Sequence, residues 1–202
     1  MRKYDIDPNI KVRKLEELID VPSFVYVNKF DEESVKAFTT LMMETEQRNQ
    51  AVVPIIIDSY GGEAYALLAM IDVVKHCKKP VATIVVGKAM SCGAMLFAMG
   101  SDGLRFMGPA ATLMFHDVSS FNHGKIEEIK ASAEESERLN QLVFKMIARN
   151  CGHSDTYFLD AIHARGHADW FLAPDEALKH KVATSVRIPE FNVKVNVDVK
   201  FG

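Results

Sequence analysis

Two kinds of apolar spacing alternate along this chain. Phe24-Val25-Tyr26-Val27, Val52-Val53-Pro54-Ile55-Ile56-Ile57 and Val81-Ala82-Thr83-Ile84-Val85-Val86 are short unbroken runs with the β-branched content of buried strands. Between them, apolar positions recur at helical spacing. Asp31 caps a helix with Val35, Phe38 and Met42 on one face, a second helix runs from about Glu63 to His76, and a third follows Ser91 through Ala94-Met95-Leu96-Phe97. Alternating strands and helices predict βα units around a parallel sheet, an α/β fold.

Two longer segments add to this frame. Residues 124–150 contain no proline and carry Ile126, Ile129, Leu139, Leu142, Val143, Met146 and Ile147, which predicts one long helix. Its many Glu and Lys residues suit a helix lying on its own domain, and its length equally suits one that projects. Phe191 to Phe201 alternates apolar and polar residues throughout, the period of a half-buried strand within a C-terminal segment 188–202. Lys194, Asp198 and Lys200 blunt that edge, which serves either the chain's own sheet or a subunit contact. With no repeat, low-complexity tract or linker, residues 1–202 read as a single domain.

Composition narrows the function classes. The apolar fraction is 48% and the charged fraction 25%, ordinary for a globular chain. A formal charge of −3 without a basic cluster disfavours nucleic acid as a partner. The charged start Met1-Arg2-Lys3-Tyr4-Asp5 and the absence of any membrane-length apolar run predict a cytoplasmic protein with no membrane partner. Cys77, Cys92 and Cys151 are odd in number and lack Cys-x-x-Cys spacing, so neither a disulfide framework nor a zinc site is indicated.

The candidate chemistry lies at strand ends. Ser91, in Gly87-Lys88-Ala89-Met90-Ser91-Cys92-Gly93-Ala94, stands where a strand run passes into a helix, beside backbone N–H groups that can stabilise an oxyanion. A plain helix cap accounts for a serine there just as well. Asp58-Ser59-Tyr60-Gly61-Gly62-Glu63 makes a similar strand-to-helix turn, so the N–H groups of Gly62 and Cys92 are candidate oxyanion donors. His116 ends the apolar run Ala111-Thr112-Leu113-Met114-Phe115, and together with Ser91 it forms half of a nucleophile and base pair. The other histidines fall in polar or helical surroundings and are expected to be solvated. Cys92 competes with Ser91 as nucleophile, but successive residues at a helix start point apart, so only one of them can face the base.

Four motifs in order, Ser59-Tyr60-Gly61-Gly62, the segment around Ser91, Met114-Phe115-His116 and Asp169-Trp170-Phe171-Leu172-Ala173, resemble those of the proteolytic subunit of the Clp protease, the ClpP family, over about Phe24 to Val186. The resemblance implies a ClpP/crotonase-like fold of repeated ββα units with a protruding handle helix, 124–150, that interlocks subunits. It implies a serine endopeptidase acting on peptides or unfolded proteins without metal or other cofactor. Ser91 is then the nucleophile, His116 the base, Asp169 its orienting carboxylate, and Gly62 and Cys92 the oxyanion donors. Asp117, Asp160 and Asp175 are competing carboxylates. The implied assembly is a homo-oligomeric ring of seven subunits, stacked in pairs in the family, with an unfolding ATPase as partner. This chain departs from the pattern in segment 1–22, at Tyr60 where family members carry Pro, and at His167-Ala168 in place of an Asp-Arg pair that joins rings, which predicts weak stacking.

Two other function classes fit the same residues. Acyl-CoA hydratases and isomerases of this fold group use paired N–H donors without a serine, and would bind a CoA thioester and tolerate Ser91→Ala. A non-catalytic ring subunit would fail to react with a fluorophosphonate.

Overall fold

The computed structural model describes residues 22–119 and 123–191. All of the expected strand over 191–201 except Phe191, and all of segment 1–22 except Pro22, lie outside the described residues. In chain order the elements are β1 (Val25–Val27), α1 (Glu32–Gln47), β2 (Val53–Ser59), α2 (Ala64–His76), β3 (Val81–Met90), α3 (Cys92–Phe97), β4 (Arg105–Met107), β5 (Thr112–Phe115), α4 (Ile126–Asn150), α5 (Tyr157–His163), β6 (Trp170–Leu172), α6 (Pro174–Lys179) and β7 (Ser185–Val186). Asp31 starts α1 by a reciprocal cap: its Oδ1 accepts from the Ser34 N–H at 2.8 Å, and Ser34 Oγ accepts from the Asp31 N–H at 2.8 Å. Phe38 and Met42 are buried on the face that the spacing predicts, with Val35 packed beside them.

The fold is α/β, as the alternation predicts. Strands β1-β2-β3-β4-β7 form a parallel array, β5 joins β3 in parallel, and β6 closes antiparallel on β5. The strand β3 is long enough to serve two partners on one side. Thr83 to Val85 pair with β4, and Lys88 to Met90 pair with β5. Gly87, at φ 76°, lies between the two stretches, where the chain changes partner. The second half of β3 thereby runs beyond β4, carrying its C-terminal end and that of β5 to one place.

Packing beneath this region is aromatic. The Phe115 ring lies 6.3 Å from Phe144 of α4, 5.7 Å from Phe158 of α5 and 6.1 Å from Trp170 of β6, centroid to centroid. The helix α4 is anchored at one end only. Its buried residues all fall between Leu139 and Ala148, while Ile126 is 71% exposed.

Two features run against simple expectations of residue type. Arg105 is 2% exposed, and its guanidinium donates to the carbonyls of Val182 at 2.9 Å, Lys181 at 3.1 Å and Gly100 at 3.2 Å. These bonds meet the cost of burying the cation and tie β4 to the turn after α6. His153 and His180 are not solvated as expected. His180 O bonds His153 Nε2 at 2.8 Å, and His180 Nδ1 bonds the Tyr157 hydroxyl at 2.7 Å. Burial is the main cause of the lowered His180 pKa.

Candidate active site

At the end of β3, Ser91 adopts φ 53° and ψ −124°, a conformation that costs a residue with a side chain about 1–3 kcal/mol. Contacts from two elements hold it there. Its N–H donates to Met114 O of β5 at 2.8 Å, and its carbonyl accepts from the Met95 N–H at 3.1 Å. Although Ser91 occupies the N-cap position of α3, its hydroxyl makes no capping bond. The cap explanation for this serine therefore does not hold, and its side chain is half-buried.

The glycine turn after β2 lies directly against Ser91. A Cβ on Gly61, at φ 106°, would stand 2.8 Å from Ser91 Cβ and 3.2 Å from its Oγ. A Cβ on Gly62 would stand 2.3 Å from Phe30 O, because the chain here crosses Phe30 with the Glu63 N–H donating to that carbonyl at 2.9 Å. Ser59 braces the turn, its hydroxyl donating to Asn28 O at 2.8 Å and accepting from the Gly61 N–H at 3.0 Å. Among the described residues, neither the Gly62 nor the Cys92 N–H donates to a backbone carbonyl.

Cys92 commits its thiol to the glycine turn. Its side chain is buried and its thiol donates to Gly62 O at 3.2 Å, clamping the glycine turn to the start of α3. Burial raises its pKa, against opposing hydrogen bonds from the Gly62 backbone and Ser91, so the reactive thiolate is disfavoured.

Register places the remaining two residues. Met90 pairs with Met114 in the parallel β3–β5 ladder, so Ser91 falls one step short of the level of His116. In the antiparallel β5–β6 ladder Phe115 pairs with Trp170, and the next step outward sets His116 against Asp169. Ser91, His116 and Asp169 are thus brought to one end of three adjacent strands. Among the described residues no hydrogen bond joins their side chains. His116 is half-buried and Asp169 exposed. Catalytic hydrogen bonds are commonly long in ligand-free structures and tighten when substrate binds.

Asp117, the nearest competitor for the carboxylate role, is engaged elsewhere. It accepts from Asn140 Nδ2 of α4 at 2.8 Å and from His167 Nδ1 at 2.5 Å. Partial burial works to raise its pKa, but the bonds from Asn140 and His167 outweigh this and lower it. Nothing in the apolar pattern singles out Asn140, a polar residue 5% exposed on the packed face of α4. Beside the site, Lys88 Nζ bonds Asp58 Oδ1 at 2.7 Å and lies 4.2 Å from the ring centre of Tyr60, which is 74% exposed.

The Clp protease family profile matches residues 11–187, a stretch that includes Gly62, Ser91, Cys92, His116 and Asp169. This chain belongs to the Clp protease family. A similar protein is the ATP-dependent Clp protease proteolytic subunit of Deinococcus radiodurans, 30% identical over 146 residues that cover 72% of this chain and 70% of the relative. Among the described residues of this Clp family member, no helix is long and apolar enough to cross a membrane.

Proposed function

We propose that this chain is a serine-type endopeptidase that cleaves peptides or unfolded proteins through an acyl-enzyme on Ser91. The observation that carries the reading is the uncapped Ser91 hydroxyl, held at positive φ within one register step of His116 and against the Gly61-Gly62 turn. His116 takes the Ser91 proton as the hydroxyl attacks a peptide carbonyl, and Asp169 orients the imidazole and stabilises its charged form. The N–H groups of Gly62 and Cys92 receive the oxyanion, each such donor typically contributing about 3 kcal/mol. His116 then protonates the leaving amine, and water releases the acyl group by the reverse of these steps.

The reading extends to a cytoplasmic homo-oligomeric ring, of seven subunits by the family resemblance. The exposed first half of α4, with Ile126 and Ile129 open to solvent, supports a role for it between subunits. The name of the Deinococcus radiodurans relative places that protein in an ATP-dependent protease, and an unfolding ATPase is the corresponding proposed partner here.

A fluorophosphonate probe tests the chemistry. Wild type should be labelled stoichiometrically and Ser91→Ala not at all, with the variant keeping its thermal stability and sedimentation. An unlabelled wild type, or labelling that survives Ser91→Ala, overturns the assignment.

A further inference from the structure

We propose that Asp117, His163 and His167 form a binding site for a divalent transition-metal ion of the zinc type, separate from the serine chemistry. One ligand atom from each of the three, two imidazole nitrogens and a carboxylate oxygen, lies within 4.8 Å of the others. Metal–ligand lengths near 2.0–2.2 Å set neighbouring ligands of a tetrahedral ion about 3.3 Å apart. A modest separation of Asp117 from His167, now 2.5 Å apart, admits the ion in place of the proton between them. Two imidazoles and a carboxylate suit zinc, cobalt or nickel better than the hard cations calcium and magnesium, which prefer oxygen.

The chain places these groups with some specificity. His163 ends α5, and the turn that follows is reversed by Gly166 at φ 67° and His167 at φ 62°. His167 is one of few described residues with a side chain in this left-handed region. Its N–H donates to Ile162 O at 3.2 Å, and its ring comes to 4.5 Å from the His163 ring, centre to centre. Asp117 approaches from the segment after β5, aimed by the amide of buried Asn140 at 2.8 Å. A hydrogen-bonded outer group that orients a ligating carboxylate is the usual support of a metal site.

The guanidinium of Arg165, two residues before His167, is engaged elsewhere. Arg165 donates to Ala161 O at 2.7 Å and stacks 4.3 Å from the Trp170 ring centre. Both imidazoles are exposed, so an ion has access, and three protein ligands leave a fourth position for water. Sequence spacing points weakly to the site, because the two histidines lie four apart while Asp117 comes from a distant strand end.

The test is cobalt(II) titration of the full, tag-free chain, followed by visible absorption. The expected result is one saturable equivalent with tetrahedral-strength bands, no near-ultraviolet thiolate band, and displacement by zinc(II). His163→Gln and His167→Asn, the latter chosen because Asn tolerates positive φ, should each weaken binding at least about tenfold. His76→Gln should leave it unchanged, and so should Ser91→Ala, which separates this proposal from the peptidase assignment. No saturable binding, a thiolate signature, or binding that survives the His163→Gln/His167→Asn double variant overturns the site.

Discussion

Phe115 pairs with Trp170 across the antiparallel β5–β6 ladder, and His116 and Asp169 are the residues immediately beyond that pair. The Phe115 ring, packed on Phe144, Phe158 and Trp170, fixes the end of the ladder from below. Asp169→Asn should therefore cost about four powers of ten in turnover, the loss seen when an orienting aspartate no longer holds the histidine tautomer. Asp117→Asn, which keeps one acceptor oxygen but can no longer accept from both Asn140 and His167, should lower thermal stability and keep turnover within about tenfold. Steady-state peptide cleavage by the two variants decides, and the opposite ranking transfers the role to Asp117.

Gly61→Ala tests the contact between the glycine turn and Ser91. The new methyl carbon would stand 2.8 Å from Ser91 Cβ at a φ of 106° that a side chain rarely tolerates. The strain, about 1–3 kcal/mol, falls on the residues that set the serine. Fluorophosphonate labelling should slow by at least about tenfold while the chain stays folded by circular dichroism. Gly62→Ala meets Phe30 backbone at 2.3 Å and should destabilise more. Unchanged labelling of folded Gly61→Ala would show that the turn does not position Ser91.

Cys92→Ser separates two adjacent candidate nucleophiles. A serine hydroxyl can replace the thiol as donor to Gly62 O, so labelling of Ser91 should persist within a few-fold and alkylation of native Cys92 by iodoacetamide should be slow. Rapid alkylation that abolishes activity would contradict the buried position of this thiol.

Cys151 gives a dependence on alkaline pH. Burial holds its pKa up to about 11, against 9.0 for the free thiol, with Arg105 pulling the other way. A thiol harder to deprotonate in the folded chain contributes stability below pH 9.0 and loses it as pH rises through about 11. Over that window, denaturant unfolding of wild type should lose about 2 kcal/mol more than Cys151→Ala loses. Parallel curves would refute the shift.

Arg105→Ala should cost about 3 kcal/mol, because the carbonyls of Val182 and Lys181 lose a donor and a cavity opens beneath β4. Arg105→Lys should restore little, since an ammonium group cannot reproduce the fork that reaches three carbonyls. A melting temperature for either variant equal to wild type would show that the buried cation is dispensable.

Much of the frame was legible locally. The runs 52–57 and 81–86 became β2 and β3, Asp31 capped α1, and residues 124–150 contained α4, because strand content, capping and helical spacing are properties of neighbouring residues. The short strands β4, β6 and β7 were not readable in this way. Unlike β1, these two- and three-residue strands are not set in an apolar β-branched run, and β6 exists because β5 offers it an edge. The expectation that six of the histidines are solvated failed at His153 and His180 for a related reason: their partners come from other elements.

By itself, the sequence singled out candidate residues: Ser91 and His116 at the ends of apolar runs, and the paired glycines of the turn. Asp169 entered through family resemblance, since a single carboxylate among several has no local signature. Only the tertiary structure decided that Asp169 lies opposite His116 while Asp117 turns to Asn140 and His167, that Cys92 is buried beneath Gly62 while Ser91 stays uncapped, and that the first half of α4 is left without cover. Each of these depends on register and packing between segments far apart in the chain, where the free energy of burial and cross-strand pairing, rather than the preference of any one residue, selects the arrangement.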